Sequence, residues 1–70
     1  MAAVQYTKAY WKAEADIQKL ATGKFQGVVL ISNTAKSRDQ ALHNVDVASE
    51  TPQEALEEAK ALAHRLLADL

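Results

Sequence analysis

Apolar and polar positions alternate along this chain with two different periods, and the change of period divides it. Trp11, Ala13, Ala15 and Ile17 alternate with Lys12, Glu14, Asp16 and Gln18. Phe25, Gly27, Val29 and Ile31 resume the same spacing after Ala21-Thr22-Gly23. A third alternation covers residues 40–47, with Ala41, His43, Val45 and Val47 set against Leu42, Asn44 and Asp46. A period of two is that of a strand with one face buried. After Thr51 the spacing changes to three and four: Ala55, Leu56, Ala59, Leu62, Ala63, Leu66, Leu67 and Leu70 form one stripe of an amphipathic helix.

The helix carries its own start signal. In "TPQE", Thr51 stands at the N-cap, Pro52 at the first helical position and Glu54 at the third, which is the pattern of a capping box. Acidic Glu54, Glu57 and Glu58 lie near the positive end of the helix dipole, and His64 and Arg65 lie toward the negative end. The helix is predicted over residues 51–70, and its stripe has to cover something.

Loop length decides which faces the first two strands present. A two-residue turn at Thr22-Gly23 pairs Ile17 with Val28 and scatters the apolar residues over both faces. A three-residue loop, Ala21-Thr22-Gly23, pairs Leu20 with Lys24, Ala15 with Val29, Ala13 with Ile31 and Ile17 with Gly27. The odd-numbered apolar residues then share one face. That loop also places Gly23 at the position that takes a left-handed backbone. Both requirements select the second register. Tyr6, Tyr10, Ala13, Ile17 and Leu20 fit a helical stripe as well, with Gly23 as its terminator. That rival leaves the strand after Gly23 without a partner, so the strand reading is taken.

The predicted fold class is therefore α+β: an antiparallel three-stranded β-meander followed by one C-terminal amphipathic helix packed on one sheet face (βββα). Residues 1–70 are expected to form a single small domain. Residues 1–7 are read as a loosely ordered lead-in, and residues 32–39, "SNTAKSRD", as a polar connection between the second and third strands.

Composition sharpens this picture by what it excludes. Of the 70 residues 14 are alanine, so the 49% hydrophobic share overstates the volume available to a core. Such a chain barely offsets its ordering entropy by burial, and self-association is a natural supplement. A net charge of −1 offers no bulk attraction for nucleic acid or anionic lipid. With 0 cysteines there is neither disulfide nor thiolate metal site. No apolar run spans a bilayer and the first residues do not read as a signal peptide, so a cytoplasmic protein is expected.

The residues resemble small bacterial domains of the βββα type, mostly of unknown function. The likeness lies in "YWKAEADIQKL", the glycine-closed "ATGKFQGVVLIS" and the helix "TPQEALEEAKALAHRLL". A looser similarity reaches double-stranded-RNA-binding modules, whose core also joins three strands and a helix. This chain departs from them: no leading helix is present, and Glu50, Glu54, Glu57 and Glu58 stand where an RNA binder offers lysines.

Candidate chemistry is sparse. His43 and His64 are not part of any ligand spacing, and a site of His43, Asp46 and His64 has no sequence pattern behind it. Glu14 and Asp16 share the predicted solvent face with Lys12 and Gln18, as ordinary solvated groups do. Ser32, Ser37 and Ser49 have no nucleophile motif around them. No catalytic, metal or cofactor residue is assigned, and a non-enzymatic role is expected. Val28, Leu30 and Leu42 point away from the helix in the chosen register, and are the candidate interface of a self-associating interaction module, a homodimer. The alternative is weak nucleic-acid binding by the lysine and aromatic residues of the first hairpin: Lys8, Trp11, Lys12, Lys19 and Lys24, with Tyr6 and Tyr10 close by. Lys36 and Arg38 add a small basic loop.

Overall fold

The computed structural model describes residues 3–35 and 40–70. Lys36, Ser37, Arg38 and Asp39, which include the basic loop, lie outside the described residues. Four strands precede one helix: β1 (Val4–Lys8), β2 (Trp11–Lys19), β3 (Phe25–Asn33), β4 (Gln40–Asn44) and α1 (Pro52–Ala68). The strands form one antiparallel sheet in the order β1-β2-β3-β4, and α1 lies across a single face, packed on β2 and β3 and touching β1. The class is α+β as expected.

The central hairpin takes the three-residue loop. Ala15 pairs with Val29, Ala13 with Ile31 and Ile17 with Gly27. Leu20 N–H donates to Lys24 C=O at 2.8 Å, and Gly23 closes the loop at φ +88°. Odd-numbered residues of β2 and β3 accordingly face the helix, and Ala13, Ala15, Val29 and Ile31 are buried.

Two expectations are corrected. The first concerns the lead-in, because residues 4–8 form a strand of their own, paired with β2 from Val4↔Ala15 to Lys8↔Trp11. Val4 and Tyr6 alternate with Gln5 and Thr7 as in a strand, but the turn after it, Ala9-Tyr10, has no turn-forming residue to mark its end. Ala9 takes φ +53°, a left-handed conformation uncommon for a residue with a Cβ. The sheet therefore has four strands where three were predicted. The second correction shortens the strand expected at residues 40–47. The β4 ladder ends at Asn44, and Val47 is 73% exposed. Val45 N–H still donates to Gly27 C=O at 2.9 Å, the chain bulges away, and Ser49 rejoins the sheet edge in a bridge to Phe25. The alternation continues in the sequence past the point where the ladder breaks.

The helix starts as read: Thr51 Oγ1 accepts from Glu54 N–H at 3.1 Å and Pro52 occupies the first turn. Its buried residues are Ala55, Ala59, Ala63 and Leu67. Three alanines thus meet Ala13, Ala15 and Gly27 across the seam, and α1 sits low on the sheet. A methyl group built on Gly27 would lie 2.7 Å from Ala55 O and 3.0 Å from Ala59 Cβ. Val29 is the largest fully buried side chain, while Tyr6, Trp11, Leu62 and Leu66 pack around the cluster half-buried. No helix among the described residues is long and apolar enough to cross a membrane.

Candidate interaction surface

Because α1 covers one face, the even-numbered residues of β2, β3 and β4 make up the other. Two regions divide this bare face. On β1 and β2 it is polar, and its groups bond to each other: Gln5 Nε2 donates to Glu14 Oε2 at 2.7 Å. Toward one end of the central hairpin, Gln18 Nε2 donates to Gln26 Oε1 at 2.9 Å, and Gln26 Nε2 donates to Val45 C=O at 3.0 Å. On β3 and β4 the face is apolar. Leu30 pairs directly with Leu42, and Val28 lies one step along the same side of β3, paired with Asn44. Val28 and Leu30 are half-buried and Leu42 is 65% exposed. The three residues singled out from the sequence therefore form one patch, bordered by Glu14 and Asp16 on β2.

The lysine and aromatic residues of the first hairpin do not share a surface. Trp11 faces the helix and packs against the core. Lys8, on the same face, donates from Nζ to Leu67 C=O at 3.0 Å, satisfying a carbonyl of the last helical turn. Lys12 lies on the opposite face, paired with Ser32 and Thr7. Lys19 and Lys24 stand at the far end, beside the Gly23 loop. Tyr10, 67% exposed, belongs to the β1–β2 turn, where its C=O accepts from both Thr34 N–H and Thr34 Oγ1.

The histidines are also kept apart. His64 stacks at a tilt on Tyr6, with ring centroids 4.2 Å apart, above β1. His43 lies across the molecule, in an open cleft of about 550 Å³ between the β4–α1 connection and the helix. Asp46, Glu54, Glu58, Leu62 and Arg65 line that cleft with it. The cleft gathers acidic side chains that sequence spacing did not connect, since the chain reversal at residues 45–49 brings Asp46 to the same cleft as Glu58. Among the described residues no three potential ligands are placed to hold a metal ion, and no buried side-chain polar atom lacks a partner. The charged side chains of the cleft, Asp46, Glu54, Glu58 and Arg65, are exposed.

The apolar patch, by contrast, is an unpaired surface of larger aliphatics on a sheet with one layer of cover. No family model, curated protein or solved structure matches this chain, so its function has to be read from the two faces and two edges of its sheet.

Proposed function

We propose that this protein is a non-enzymatic interaction module that associates with a second copy of itself at the β3–β4 side of its sheet, using Val28, Leu30 and Leu42. The observation that carries this reading is the direct cross-strand pairing of Leu30 with the exposed Leu42, beside Val28, on a face that α1 leaves uncovered. Apolar side chains clustered on one region of a surface gain free energy by leaving water together, at roughly 25 cal/mol per Å² buried. The polar half of the face gives the patch a border, as interfaces commonly have. A thin alanine-rich core gains from further burial on association. A cytoplasmic location goes with the cysteine-free composition.

Sedimentation velocity over a concentration series tests the reading. The weight-average mass is expected to rise from monomer toward dimer with concentration, and Leu30→Asp is expected to hold the chain at monomer mass with unchanged circular dichroism. A wild-type chain that stays monomeric up to about millimolar concentration, beyond which association is weaker than about 4 kcal/mol, overturns it.

A further inference from the structure

We infer that two copies join edge to edge through β4, about a two-fold axis at Leu42, so that the four-stranded sheets become one continuous sheet. This rests on the self-association proposed above and names its geometry.

The phase of the ladder carries the inference. Val45 N–H donates to Gly27 C=O, which fixes where the bonded pairs of the β3–β4 ladder fall. Bonded and non-bonded pairs alternate in an antiparallel ladder. His43 and Ala41, opposite Val29 and Ile31, therefore turn their main-chain groups toward β3. Leu42 and Asn44 turn theirs to the other side, where no described strand pairs with β4. Leu42 is the central residue of β4. An antiparallel copy placed against this edge pairs Leu42 with Leu42 of the second copy, each donating to the other, and Gln40 with Asn44 of the second copy. The strand is complementary to itself.

Charge agrees. A two-fold edge brings each strand against its own sequence, so a charged residue near the axis meets its like. β4 is Gln-Ala-Leu-His-Asn and has no lysine, arginine, aspartate or glutamate. It also has no proline, and its ladder to β3 runs unbroken from Gln40 to Asn44, so charge, proline and an internal bulge, three devices that blunt an edge, are missing from it. The opposite edge, β1, ends in Lys8, whose ammonium is engaged by the last turn of α1.

The side chains then complete the patch. Leu30 and Leu42 are neighbours in one cross-strand row. Joining two copies at Leu42 extends that row to Leu30–Leu42–Leu42–Leu30, closed at each end by Glu14. A pairing of five-residue strands is at the small end of protein interfaces, below about 1,200 Å² in total, so the dimer exchanges with monomer as concentration changes.

The chain has 0 cysteines, so one introduced thiol per copy reports the geometry. Bonded partners in an antiparallel ladder have Cα atoms about 5.5 Å apart, within disulfide reach. Sheets stacked face to face lie about 10 Å apart, beyond it. Leu42→Cys, oxidised with oxidised glutathione, is expected to give a covalent dimer on non-reducing gels. Val28→Cys, about 20 Å from its equivalent (three strand spacings across and four residues along), is expected to stay monomeric on the same gels. Asn44→Pro removes an outward N–H without touching the β3 ladder, and is expected to weaken association at least tenfold in sedimentation with unchanged circular dichroism. If the wild type associates but Leu42→Cys does not cross-link, or folded Asn44→Pro associates like wild type, the edge geometry is wrong and the self-association reading stands. A monomeric wild type overturns both. Should Asn44→Pro unfold, the cross-link decides alone.

Discussion

At Gly27 the backbone of β3 comes so close to α1 that there is no space for a methyl group. The atoms a Cβ would meet include Ala55 O, which is main chain and cannot turn aside. Gly27→Ala should lower stability by about 1–3 kcal/mol, the cost of forcing an extra carbon into a filled core, read as a lower urea midpoint at unchanged slope. Gly23 has a different task. Its φ of +88° closes the hairpin, and open space surrounds it. The role of Gly23 was legible in the sequence, because loop length and glycine position agreed on one register. The role of Gly27 was not: a glycine inside an alternating run shows that something approaches, but only the helix docking shows what. Ala9 was hidden for the opposite reason, since an alanine in a left-handed turn has no sequence signal at all.

Among the elements, those with local chemistry at their ends were readable. Thr51, Pro52 and Glu54 mark the start of α1, and its stripe of alanine and leucine marks the buried side. β1 and the end of β4 depend on longer-range events. β1 exists because Ala9-Tyr10 reverses the chain against β2, and because Tyr6 and Lys8 find His64 and Leu67 on the helix. β4 stops where Val45 gives way to a bulge, though apolar alternation runs on to Val47. The Lys8 contact ties the edge strand to the helix terminus. Lys8→Met keeps the length of the side chain and removes its charge, and should cost up to about 1 kcal/mol. Hydrogen exchange is expected to quicken in the last turn of α1 and not in its first. The face on which Val28, Leu30 and Leu42 lie was legible because register, once fixed by the hairpin, assigns every later side chain to a face. The main-chain edge beside them has no side-chain signature, which is why a ladder was needed to see it.

At the scale of the whole molecule, one helix on one sheet gives a body 37 Å long and about half as thick, 21 × 19 Å in its other dimensions. Much of its bulky apolar surface is at the rim of the core or on the bare face. A chain of this kind should gain measurably from its own concentration. If association is restricted to the folded state, a hundredfold excess over the dissociation constant adds on the order of 2.7 kcal/mol, by analogy with ligand binding. The melting temperature is therefore expected to climb with protein concentration by differential scanning calorimetry, and to stop climbing in Leu30→Asp. A melting temperature independent of concentration in the wild type would mean that the native form unfolds as a monomer.

The shallow seat of α1 has one more outcome. Alanine set against alanine and glycine leaves the helix no room to roll: turning it by one residue would drive Leu56 or Leu62 into a space that does not admit a methyl. Clearance at Gly27 thus constrains the docking alongside apolar burial. The strands that carry the uncovered side are clamped from behind at their closest approach to the rod.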